Sequence, residues 1–473
     1  MSILRLAIAT PLRRLFDYLP PEGMDEAEVR ALRPGIRLRV PFGTREVTGW
    51  LMAIGDHSEL PSSSLKRVAA ILDATPAAGD TLWQLCAWAA QYYHHPPGEV
   101  LAAAFPGRLR AGRERQLPGV AGWRLTARGK GLPPGALSRS PRQAQALQLM
   151  QGAAAVPTDD FAAAGISTAA LRALGGKGLA ERYTLAVPQS TAEARQGLDL
   201  NCEQATAVAA LERAAGSFSC HLLEGVTGSG KTEIYLQLIA GCLQRGEQVL
   251  VLIPEIGLTP QTLNRFEQRF DAQIALVHSG LSEGDRYRAW EAAAAGHAHI
   301  VIGTRSAVFT PLQCAGLIIV DEEHDLSYKQ QDGFRYSARD VAVKRAQLEN
   351  CPVLLGSATP SLESIHNAVS GRYHHHPLRQ RAGDAGLPEI EVVDIRRREL
   401  QAGLSPQLLE QARVTLERGE QVLLVLNRRG YAPTLQCHDC GWMAECDACD
   451  ARLTVHRRRR QLRCHHCAAV HPL

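Results

Sequence analysis

The strongest constraint on the fold is a pair of segments, 225–232 and 317–322, that belong together chemically. The first has the G-x-x-x-x-G-K-T spacing of a phosphate-binding loop. The second is an apolar run that ends in the carboxylates Asp321 and Glu322. Such a loop and such a strand end are the two halves of a nucleoside triphosphatase site. Their order and separation predict hydrolysis of a nucleoside triphosphate, with ATP as the expected cofactor.

Each group in this candidate site has its own expected role. The nucleotide-binding set is Gly225, Thr227, Gly228, Ser229, Gly230, Lys231 and Thr232. Lys231 is expected to reach the β- and γ-phosphates, and the Thr232 hydroxyl to ligate Mg²⁺. Asp321 is expected to bind Mg²⁺ directly or through water, and Glu322 to orient or deprotonate the attacking water. The alternatives are a glycine-rich turn beside a lysine and a solvated acidic strand end.

The composition narrows the class of protein. The chain has 473 residues, of which 45% are hydrophobic and 21% charged, as in a soluble protein of several domains. No apolar run approaches the roughly 20 residues that span a bilayer, and residues 1–5 are too charged to begin a signal peptide. We therefore expect a cytoplasmic protein without a membrane partner. The net charge of +4 does not by itself indicate nucleic-acid binding.

The twelve cysteines fall into two groups. Six are scattered in mostly apolar surroundings and are expected to be buried free thiols. The other six form three C-x-x-C pairs: Cys437, Cys440, Cys446, Cys449, Cys464 and Cys467. In a cytosolic chain such pairs predict tetrahedral zinc. Six thiolates complete one four-cysteine site and leave half of another. His438, His465, His466 or His471 could complete the second, and a redox dithiol is the alternative for Cys437 and Cys440.

The N-terminal half has the pattern of small domains. Residues 1–105 are predicted to form a β-rich domain, with strands at 3–8, 36–40 and 47–51 and a helix at 81–93. A turn is expected at 41–43, between the second and third of these strands.

Two linkers and a further small domain are predicted next. Residues 106–139 are rich in Arg, Gly and Pro and are predicted to be a linker. Residues 140–187 are predicted to form a winged-helix-like domain, with Ser167 and Thr168 capping a helix and a strand at 179–185. A plain helical hairpin is the alternative. Residues 188–198 are predicted to be a second linker.

The pattern changes near residue 200 to alternating strands and helices, which predicts a parallel sheet. Two similar segments, 245–252 and 418–425, each predict a tight turn that follows a helix and precedes a buried strand. They indicate two related α/β lobes, at 200–385 and from 390 to 436, although chance similarity is the alternative. The cysteine-rich region 437–473 is then a separate zinc-binding module, expected to be incomplete.

The acidic segment Asp321-Glu322-Glu323-His324 is DEAH-box-like. Three further segments accompany it in order: 253–261, 303–307 and 356–361. This set resembles superfamily 2 helicases and translocases. More narrowly, the chain resembles over essentially its whole length the primosomal protein N prime family of bacterial replication-restart helicases. The segments that carry this narrower resemblance are 254–261, 321–330, 334–340 and 427–431.

The resemblance implies a fold and a set of contacts. The fold is α/β: RecA-like P-loop helicase lobes, a small β-rich N-terminal DNA-binding domain, a winged-helix-like domain and a Cys-rich zinc-binding insertion. Gln204 would contact adenine, and segment 356–361 would couple hydrolysis to lobe movement. The DNA-contact set is Phe16, Asp17, Tyr18, Thr304, Arg305, Tyr328, Lys329, Phe334, Arg335 and Tyr336.

Two parts of that DNA-contact set have distinct expected tasks. The first three residues would line a pocket for the 3′ end of a nascent strand. The aromatic-rich loop 327–340 offers rings among cationic side chains, which suits single-stranded DNA. The alternative is that these rings pack beneath the lobe.

The resemblance also implies metal content. The family holds four cysteine pairs and two zinc ions, with the second and third pairs sharing one ion. Cys446, Cys449, Cys464 and Cys467 would then form a complete site. Cys437 and Cys440 would need a further pair downstream.

The resemblance finally implies an activity. It is that of an ATP-dependent 3′→5′ DNA helicase that recognises stalled or collapsed forks and starts replication restart by primosome assembly. Partners would be forked and single-stranded DNA, primosome proteins and the single-stranded-DNA-binding protein. Because the family continues past residue 473 with the rest of lobe 2 and its arginine motif, we expect weak unwinding. The alternatives are a fork-binding scaffold with impaired catalysis and a duplex-DNA translocase motor.

Overall fold

The computed structural model of the chain describes most of its length in two compact units, Met1–Ala385 and Gly386–Leu473. The described residues are 2–115, 120–133, 135–185, 192–254, 257–381, 389–425, 435–437, 439–449, 451–456, 460–464, 467 and 469–473. Within these ranges, no helix has the length and apolar character needed to cross a membrane.

The first domain is built on a five-stranded antiparallel sheet with the order β2-β1-β4-β3-β5. Its elements are β1 (Ile3–Ile8), β2 (Phe16–Tyr18), α1 (Glu26–Ala31), β3 (Arg37–Phe42), β4 (Arg45–Gly55), β5 (Ala70–Ile71), α2 (Asp80–Tyr92), α3 (Pro97–Ala104) and α4 (Gly107–Arg110). The predicted hairpin is confirmed, because β3 and β4 pair from Arg37↔Trp50 to Phe42↔Arg45. Its turn lies one to two residues later than predicted, at Gly43 and Thr44.

A second small domain follows, and it corrects the prediction of a linker at 106–139. Its elements are β6 (Val120–Leu125), α5 (Ala127–Lys130), α6 (Pro141–Met150), β7 (Val156–Pro157), α7 (Thr158–Ala163), α8 (Thr168–Gly176) and β8 (Ala180–Leu185). Strand β6 lies between β7 and β8, and its Trp123 is buried among the helices. Ser167 caps α8 as predicted, by accepting the Ala170 N–H. Helices packed on a three-stranded antiparallel sheet are the arrangement of a winged helix.

The predicted parallel sheet is confirmed. It has seven strands in the order β13-β14-β11-β15-β16-β10-β17. The elements are β9 (Glu193–Ala194), α9 (Cys202–Arg213), β10 (Ser219–Gly225), α10 (Lys231–Gln244), β11 (Gln248–Leu252), α11 (Pro260–Arg269), β12 (Phe270–Asp271), β13 (Ile274–Val277), α12 (Glu283–Ala294), β14 (Ile300–Gly303), β15 (Ala315–Val320), α13 (Ala338–Glu349), β16 (Pro352–Ser357), α14 (Leu362–Val369) and β17 (His374–Leu378). The second predicted linker contains β9, which pairs with β12.

The first domain packs directly on the domain of the parallel sheet. The Phe105 ring contacts both Trp50 and Trp290 in tilted arrangements, with centroids 5.9 and 5.6 Å apart. Beyond α4, the Arg115 guanidinium forms an ion pair with the buried Glu291 carboxylate at 2.9 Å. Burial of aromatic rings from both sides makes this a shared core and not a loose tether.

The second unit corrects the prediction of a buried strand at 421–425. Helix α15 (Pro406–Glu417) is present, and Gly419 turns the chain with φ +75°. The next residues form no strand, and Leu423 is 86% exposed. The corresponding strand β11 is held between β14 and β15, whereas no described strand of this unit pairs with 421–425. Segment 427–431 lies outside the described residues.

The remainder of this unit is a small antiparallel sheet in the cysteine-rich region. It is formed by β18 (Thr454–His456), β19 (Gln461–Arg463) and β20 (Val470–Pro472). Among the six scattered cysteines of the first unit, Cys86, Cys220, Cys242 and Cys351 are buried as expected, whereas Cys202 and Cys314 are exposed.

Candidate functional site

The phosphate-binding segment joins a buried strand to a helix. Strand β10 ends at Gly225 and α10 begins at Lys231. Gly228 and Gly230 have φ values of +82° and +81°, which side-chain-bearing residues rarely adopt. The Lys231 Nζ donates to the Gly225 carbonyl at 2.9 Å. The lysine therefore lies folded over the loop, at the N-terminal end of a fourteen-residue helix whose dipole favours anions.

The acidic strand end faces this loop. Asp321 follows β15, and its Oδ1 accepts a hydrogen bond from the Tyr235 hydroxyl at 2.9 Å. Burial raises the pKa of the Asp321 carboxyl above its ordinary value. Glu322 has φ +44°, a left-handed conformation that is uncommon outside glycine, and its Oε1 lies 3.9 Å from the Lys231 Nζ. The strained backbone presents this carboxylate to the lysine.

Tyr235 is a site residue that sequence reasoning missed. It lies one helical turn after Lys231, so both side chains project from the same face of α10. A side chain at Gly356 would collide with its hydroxyl. The i, i+4 spacing from the lysine was the available signal, but it does not reveal the acidic partner in another strand.

A cavity of about 460 Å³ opens between these elements. Its polar lining includes the following side chains: Thr232, Tyr235, Thr262, Arg265, Asp321, Glu322 and His324. The structure therefore brings Thr232, Asp321 and Glu322 together around one space. A hydroxyl and carboxylates are the hard oxygen ligands that Mg²⁺ accepts, and Lys231 supplies a cation for phosphate.

Gln204 supports the loop from behind. Its Nε2 donates to the Ser229 carbonyl at 2.8 Å, and its Oε1 accepts the Asn201 N–H at 2.9 Å in a capping box at the start of α9. The side chain is 4% exposed. In this structure Gln204 holds the phosphate-binding loop, with one amide N–H left for a further acceptor.

The acidic segment is also tied to segment 356–361. The buried Glu323 carboxylate accepts from the Ser361 N–H at 2.6 Å and from Arg339 at 3.1 Å. His324 Nδ1 lies 2.7 Å from the Ser357 Oγ. A change at the acidic strand end therefore reaches this segment through short polar contacts. Glu323 and Arg339 lie in segments 321–330 and 334–340, but the sequence of these segments does not reveal the partners that the two side chains contact.

The aromatic loop departs from the expectation of exposed stacking faces. Tyr328, Phe334 and Tyr336 are 2%, 6% and 5% exposed, so their rings pack into the domain. Removing large aromatic rings from water is favourable wherever a neighbouring apolar surface can pack against them. The expectation that these rings are stacking faces for DNA is wrong for this conformation. Lys329 and Arg335, the cations between them, are exposed.

The buried rings connect the first domain to the acidic strand end. Tyr93, which directly follows α2, contacts Phe334 edge-to-face at 5.8 Å, and its hydroxyl accepts the Ser337 N–H at 3.2 Å. The Tyr328 hydroxyl donates to the Asp321 carbonyl at 2.6 Å. Arg305 donates to the Ser327 carbonyl at 2.8 Å. The loop thus bridges the N-terminal domain and the candidate ATP site.

Thr304 and Arg305 differ in accessibility. Thr304 is 4% exposed, and its N–H donates to the Val277 carbonyl. The Arg305 side chain is half-buried against the aromatic loop.

A second cavity, of about 600 Å³, lies in the first domain. Phe16, Asp17 and Tyr18, the three residues of β2, all line it. The Asp17 Oδ2 accepts from the Ser58 hydroxyl at 2.6 Å, and the Phe16 ring meets Phe42 edge-to-face at 5.1 Å. The lining cations are Arg5, Arg14 and Lys66. An acceptor, an aromatic face and cations in one cavity can together hold a nucleotide's hydroxyl, base and phosphate.

Four cysteines converge in the second unit. The sulfur atoms of Cys446, Cys449, Cys464 and Cys467 all lie within 4.8 Å of one another. Tetrahedral zinc with Zn–S bonds of about 2.3 Å requires S···S distances of about 3.8 Å, so this cluster fits one ion. The pair Cys437 and Cys440 is not part of it. Backbone N–H groups of Cys440 and Asp439 lower the pKa of the Cys437 thiol.

The histidine alternatives for the second site have no structural support in the described residues. His471 Nδ1 lies 3.7 Å from an Asp447 carboxylate oxygen. His438, His465 and His466 lie outside the described residues.

Three family profiles match separate parts of the chain. Residues 5–106 match the 3′DNA-binding domain of PriA, residues 202–368 match the DEAD/DEAH box helicase domain, and residues 446–472 match the Cys-rich region domain of PriA DNA helicase. These matches confirm the predicted fold class of a helicase α/β domain, an N-terminal DNA-binding domain and a Cys-rich zinc-binding region. They coincide with the three sites described above.

Curated relatives match along nearly the whole chain. The replication restart protein PriA of Haemophilus influenzae is 45% identical over 99% of this chain and 64% of its own length. That of Bacillus subtilis is 33% identical over 97% of this chain and 66% of its own length. The chain thus spans just under two thirds of these relatives. Among solved structures, the Pyrococcus furiosus Hef helicase domain aligns over 37% of this chain and 36% of its own, at 21% identity and a TM-score of 0.29.

Proposed function

We propose, because this chain belongs to the PriA family of replication restart proteins, that it is an ATP-dependent 3′→5′ DNA helicase acting at stalled or collapsed replication forks. The observation that carries the proposal is the combination of two cavities in one unit. The first cavity is lined by α10, the helix that follows the phosphate-binding loop, and by the acidic strand end. The second is lined by the residues of β2, in the domain that matches the 3′DNA-binding profile.

The ATP site has a clear division of tasks in this proposal. Lys231 leaves the Gly225 carbonyl to contact the β- and γ-phosphates. Thr232 and Asp321 would hold Mg²⁺, whose charge would support phosphoryl transfer. Glu322, held close to Lys231 by its left-handed backbone, orients and deprotonates the attacking water. Gln204 fixes the loop and uses its remaining N–H toward adenine.

DNA contact and hydrolysis communicate through the aromatic loop in this proposal. Exposed Lys329 and Arg335 meet the DNA backbone, together with the half-buried Arg305, whereas Thr304 is buried and supports this segment from within. The buried rings transmit a shift of the loop to Asp321 through the Tyr328 hydroxyl. Segment 356–361 carries the consequence of hydrolysis onward, because Glu323 and His324 hold it.

The domains take separate roles. Residues 1–105 bind the 3′ end, residues 120–185 form the winged-helix-like domain, 200–385 form lobe 1, and residues from 390 begin lobe 2 with the zinc module at 437–473. Primosome proteins and the single-stranded-DNA-binding protein are the proposed protein partners, and the cytoplasm is the proposed compartment.

The primary test is steady-state ATP hydrolysis with and without a forked DNA whose nascent 3′ end lies at the branch. We expect strong stimulation by the fork, because the loop links DNA contact to Asp321. Unwinding is measured in parallel on duplexes with a 3′ or a 5′ single-stranded tail, and only the 3′-tailed duplex should be opened. A rate of ATP hydrolysis that is the same with and without DNA would refute the helicase assignment.

The cavity lined by Phe16, Asp17 and Tyr18, here called the 3′-end cavity, gives a second expected result. Replacing Asp17 with alanine removes the carboxylate that would accept a hydrogen bond from a terminal 3′-hydroxyl. A hydrogen bond to a charged acceptor contributes about 1.5–3 kcal/mol, so affinity for a fork with a 3′-hydroxyl at the branch should fall roughly tenfold or more. Fluorescence anisotropy measures this change.

The matched control for this experiment is Asp56→Ala, which removes an exposed carboxylate of the same domain outside the cavity. A fork whose 3′ end is blocked by phosphate should bind the wild type and Asp17→Ala equally. If Asp17→Ala and Asp56→Ala bind the hydroxyl-ended fork alike, Asp17 has no role in recognising the end.

A further inference from the structure

A small cavity between the first domain and lobe 1 is lined by two arginine side chains, Arg110 and Arg286. It has a volume of about 160 Å³, room for on the order of five waters at ~30 Å³ each. From the first domain it is lined by α3, the following residues and Arg110 of α4. From lobe 1 it is lined by Arg286 and Trp290 of α12 and by Ser306.

Two of the lining side chains have buried donors that find no acceptor among the described residues. The Arg286 Nε and the Trp290 Nε1 are both shielded from solvent, and neither makes a hydrogen bond within the part of the chain that the structure describes. The remainder of the Arg286 guanidinium is held in place, because one of its terminal nitrogens donates to the His278 carbonyl at 3.1 Å. Buried donors are rarely left unpaired, so each such atom calls for an explanation.

The charge of the lining favours an anion as the occupant of the cavity. Arg110 and Arg286 supply two guanidinium groups, and Ser306 and Thr310 supply hydroxyls. No Asp or Glu lines the cavity among the residues that the structure describes. Glu283, the acid that begins α12, accepts the Gly107 N–H at 3.0 Å and does not line it. Guanidinium groups recognise phosphate oxygens through charge-assisted hydrogen bonds.

The position of the cavity relates it to the candidate ATP site. Val277, another lining residue, ends β13, and Ser306 lies just after the end of β14. The cavity is therefore at the carboxyl edge of the parallel sheet. The phosphate-binding loop after β10 and Asp321 after β15 lie at the same edge. Ligands of open α/β sheets bind at this edge.

We propose that this cavity binds one phosphate group of a DNA backbone, with Arg286 and Arg110 as its cations and the Ser306 hydroxyl as a neutral donor. The inference rests on the proposed DNA helicase function and adds to it a contact that both domains build together. A strand held here is gripped by the first domain and lobe 1 at once. The contact is to phosphate and therefore carries no sequence preference.

The test uses the salt dependence of single-stranded DNA binding by the full chain in the absence of nucleotide. Each phosphate neutralised on a single strand contributes about 0.7 to the slope of log K against log salt. Arg286→Gln should lower the slope by about that amount and weaken binding roughly five- to tenfold near 0.1 M salt. Arg286→Lys should keep the slope. Arg110→Gln should lower it as well, and because Arg110 is exposed its loss does not threaten folding.

The matched control is Arg288→Gln, on the same helix, whose guanidinium is exposed and pairs with Asp285 outside the cavity. It should leave the slope unchanged. Weaker binding by Arg286→Gln at an unaltered slope would overturn the proposal, since it would mark a merely structural role. A second result would also overturn the proposal: millimolar inorganic phosphate stabilises the wild type but not Arg286→Gln, while the two proteins bind DNA with equal affinity. The cavity would then bind a free anion and not DNA.

The outcome separates this inference from the proposed function. If the wild type hydrolyses ATP in response to DNA while Arg286→Gln and Arg288→Gln bind DNA alike, the phosphate site alone is overturned. If the wild type binds no DNA, the helicase proposal and this site both fall.

Discussion

Replacing Lys231 with alanine is expected to lower the rate of ATP hydrolysis by a factor on the order of 10²–10³, the usual effect of deleting one group that stabilises charge in a transition state. Lys231 begins α10, and its Nζ lies 3.9 Å from the Glu322 Oε1. Among the described residues, it is the lysine that forms an ion pair with Glu322. Without it, Asp321 and Glu322 face the triphosphate with one positive charge fewer. Both ground-state binding and the transferring phosphoryl group lose stabilisation.

The substitution should leave the fold intact. In the absence of nucleotide, Lys231 donates one hydrogen bond, to the Gly225 carbonyl, and its loss costs about 1 kcal/mol. The strand, the loop glycines and the Gln204 contact to Ser229 do not depend on the ammonium group. Binding of a fork without nucleotide should therefore change by less than about twofold, because the 3′-end cavity lies in the first domain.

Lys177→Ala is the matched control, since it removes an ammonium group that donates to Gln143 in the winged-helix-like domain, away from the loop. Turnover is measured without DNA and at a saturating fork concentration. Near-wild-type turnover by Lys231→Ala would remove the phosphate-binding loop from the mechanism. Loss of turnover together with fork binding would instead indicate a folding defect and would contradict the separation of the two cavities.

The features that the sequence predicted well are those encoded locally. The phosphate-binding loop carries its own glycines and its own helix start, so its conformation follows from a short segment. The same holds for the hairpin of β3 and β4 and for the Ser167 cap. Their defining contacts join residues close in sequence, and pattern reasoning reads such contacts directly.

The two R-G-E-Q-V-L segments show where local reasoning ends. In the first, Gln248 is buried and donates to the Ala293 and Ala298 carbonyls, and β11 pairs on both edges. In the second, Gln421 and the apolar residues after it are exposed. The helix and the turn recur because they depend on nearby residues. The strand does not recur, because a strand needs neighbours that its own sequence cannot specify.

The missed site contacts have the same origin. Tyr235 meets Asp321 across 86 positions of chain, and Tyr93 meets Ser337 across 244. The sequence could predict a functional role for the aromatic residues of 327–340. Whether one of these rings faces solvent or the core, however, depends on the surface that packs against it. That surface here belongs to the first domain, through Tyr93 and His95.

Substitution of Cys464 with serine is expected to abolish stoichiometric zinc binding by the C-terminal unit. Cys464 is fully buried, and its sulfur lies 3.5 Å from that of Cys449 and accepts the Cys467 N–H. A structural zinc site contributes about 10–16 kcal/mol to the folding of a small module, far more than the few buried apolar side chains of this sheet provide. Loss of one thiolate should therefore release the ion and unfold the region around β18 and β19.

Metal analysis of the purified chain and titration of its reactive thiols measure this result together. In the wild type, the sulfur atoms of Cys446, Cys449, Cys464 and Cys467 should be protected from a thiol reagent until a chelator removes the metal. The Cys464→Ser variant should contain one zinc ion fewer per chain than the wild type. Its three remaining cluster thiols should react with the thiol reagent without a chelator.

The matched control is Cys437→Ser, which removes a thiol of the same C-x-x-C type outside the cluster. It should keep the four-cysteine zinc and its protected thiols, because the cluster is complete without that pair. If Cys437→Ser loses the ion and Cys464→Ser keeps it, the assignment of ligands is reversed and the cluster geometry does not describe the metal-bound protein. If each variant loses its own share of two ions, the pair Cys437 and Cys440 belongs to a second site, completed by residues other than the four clustered cysteines.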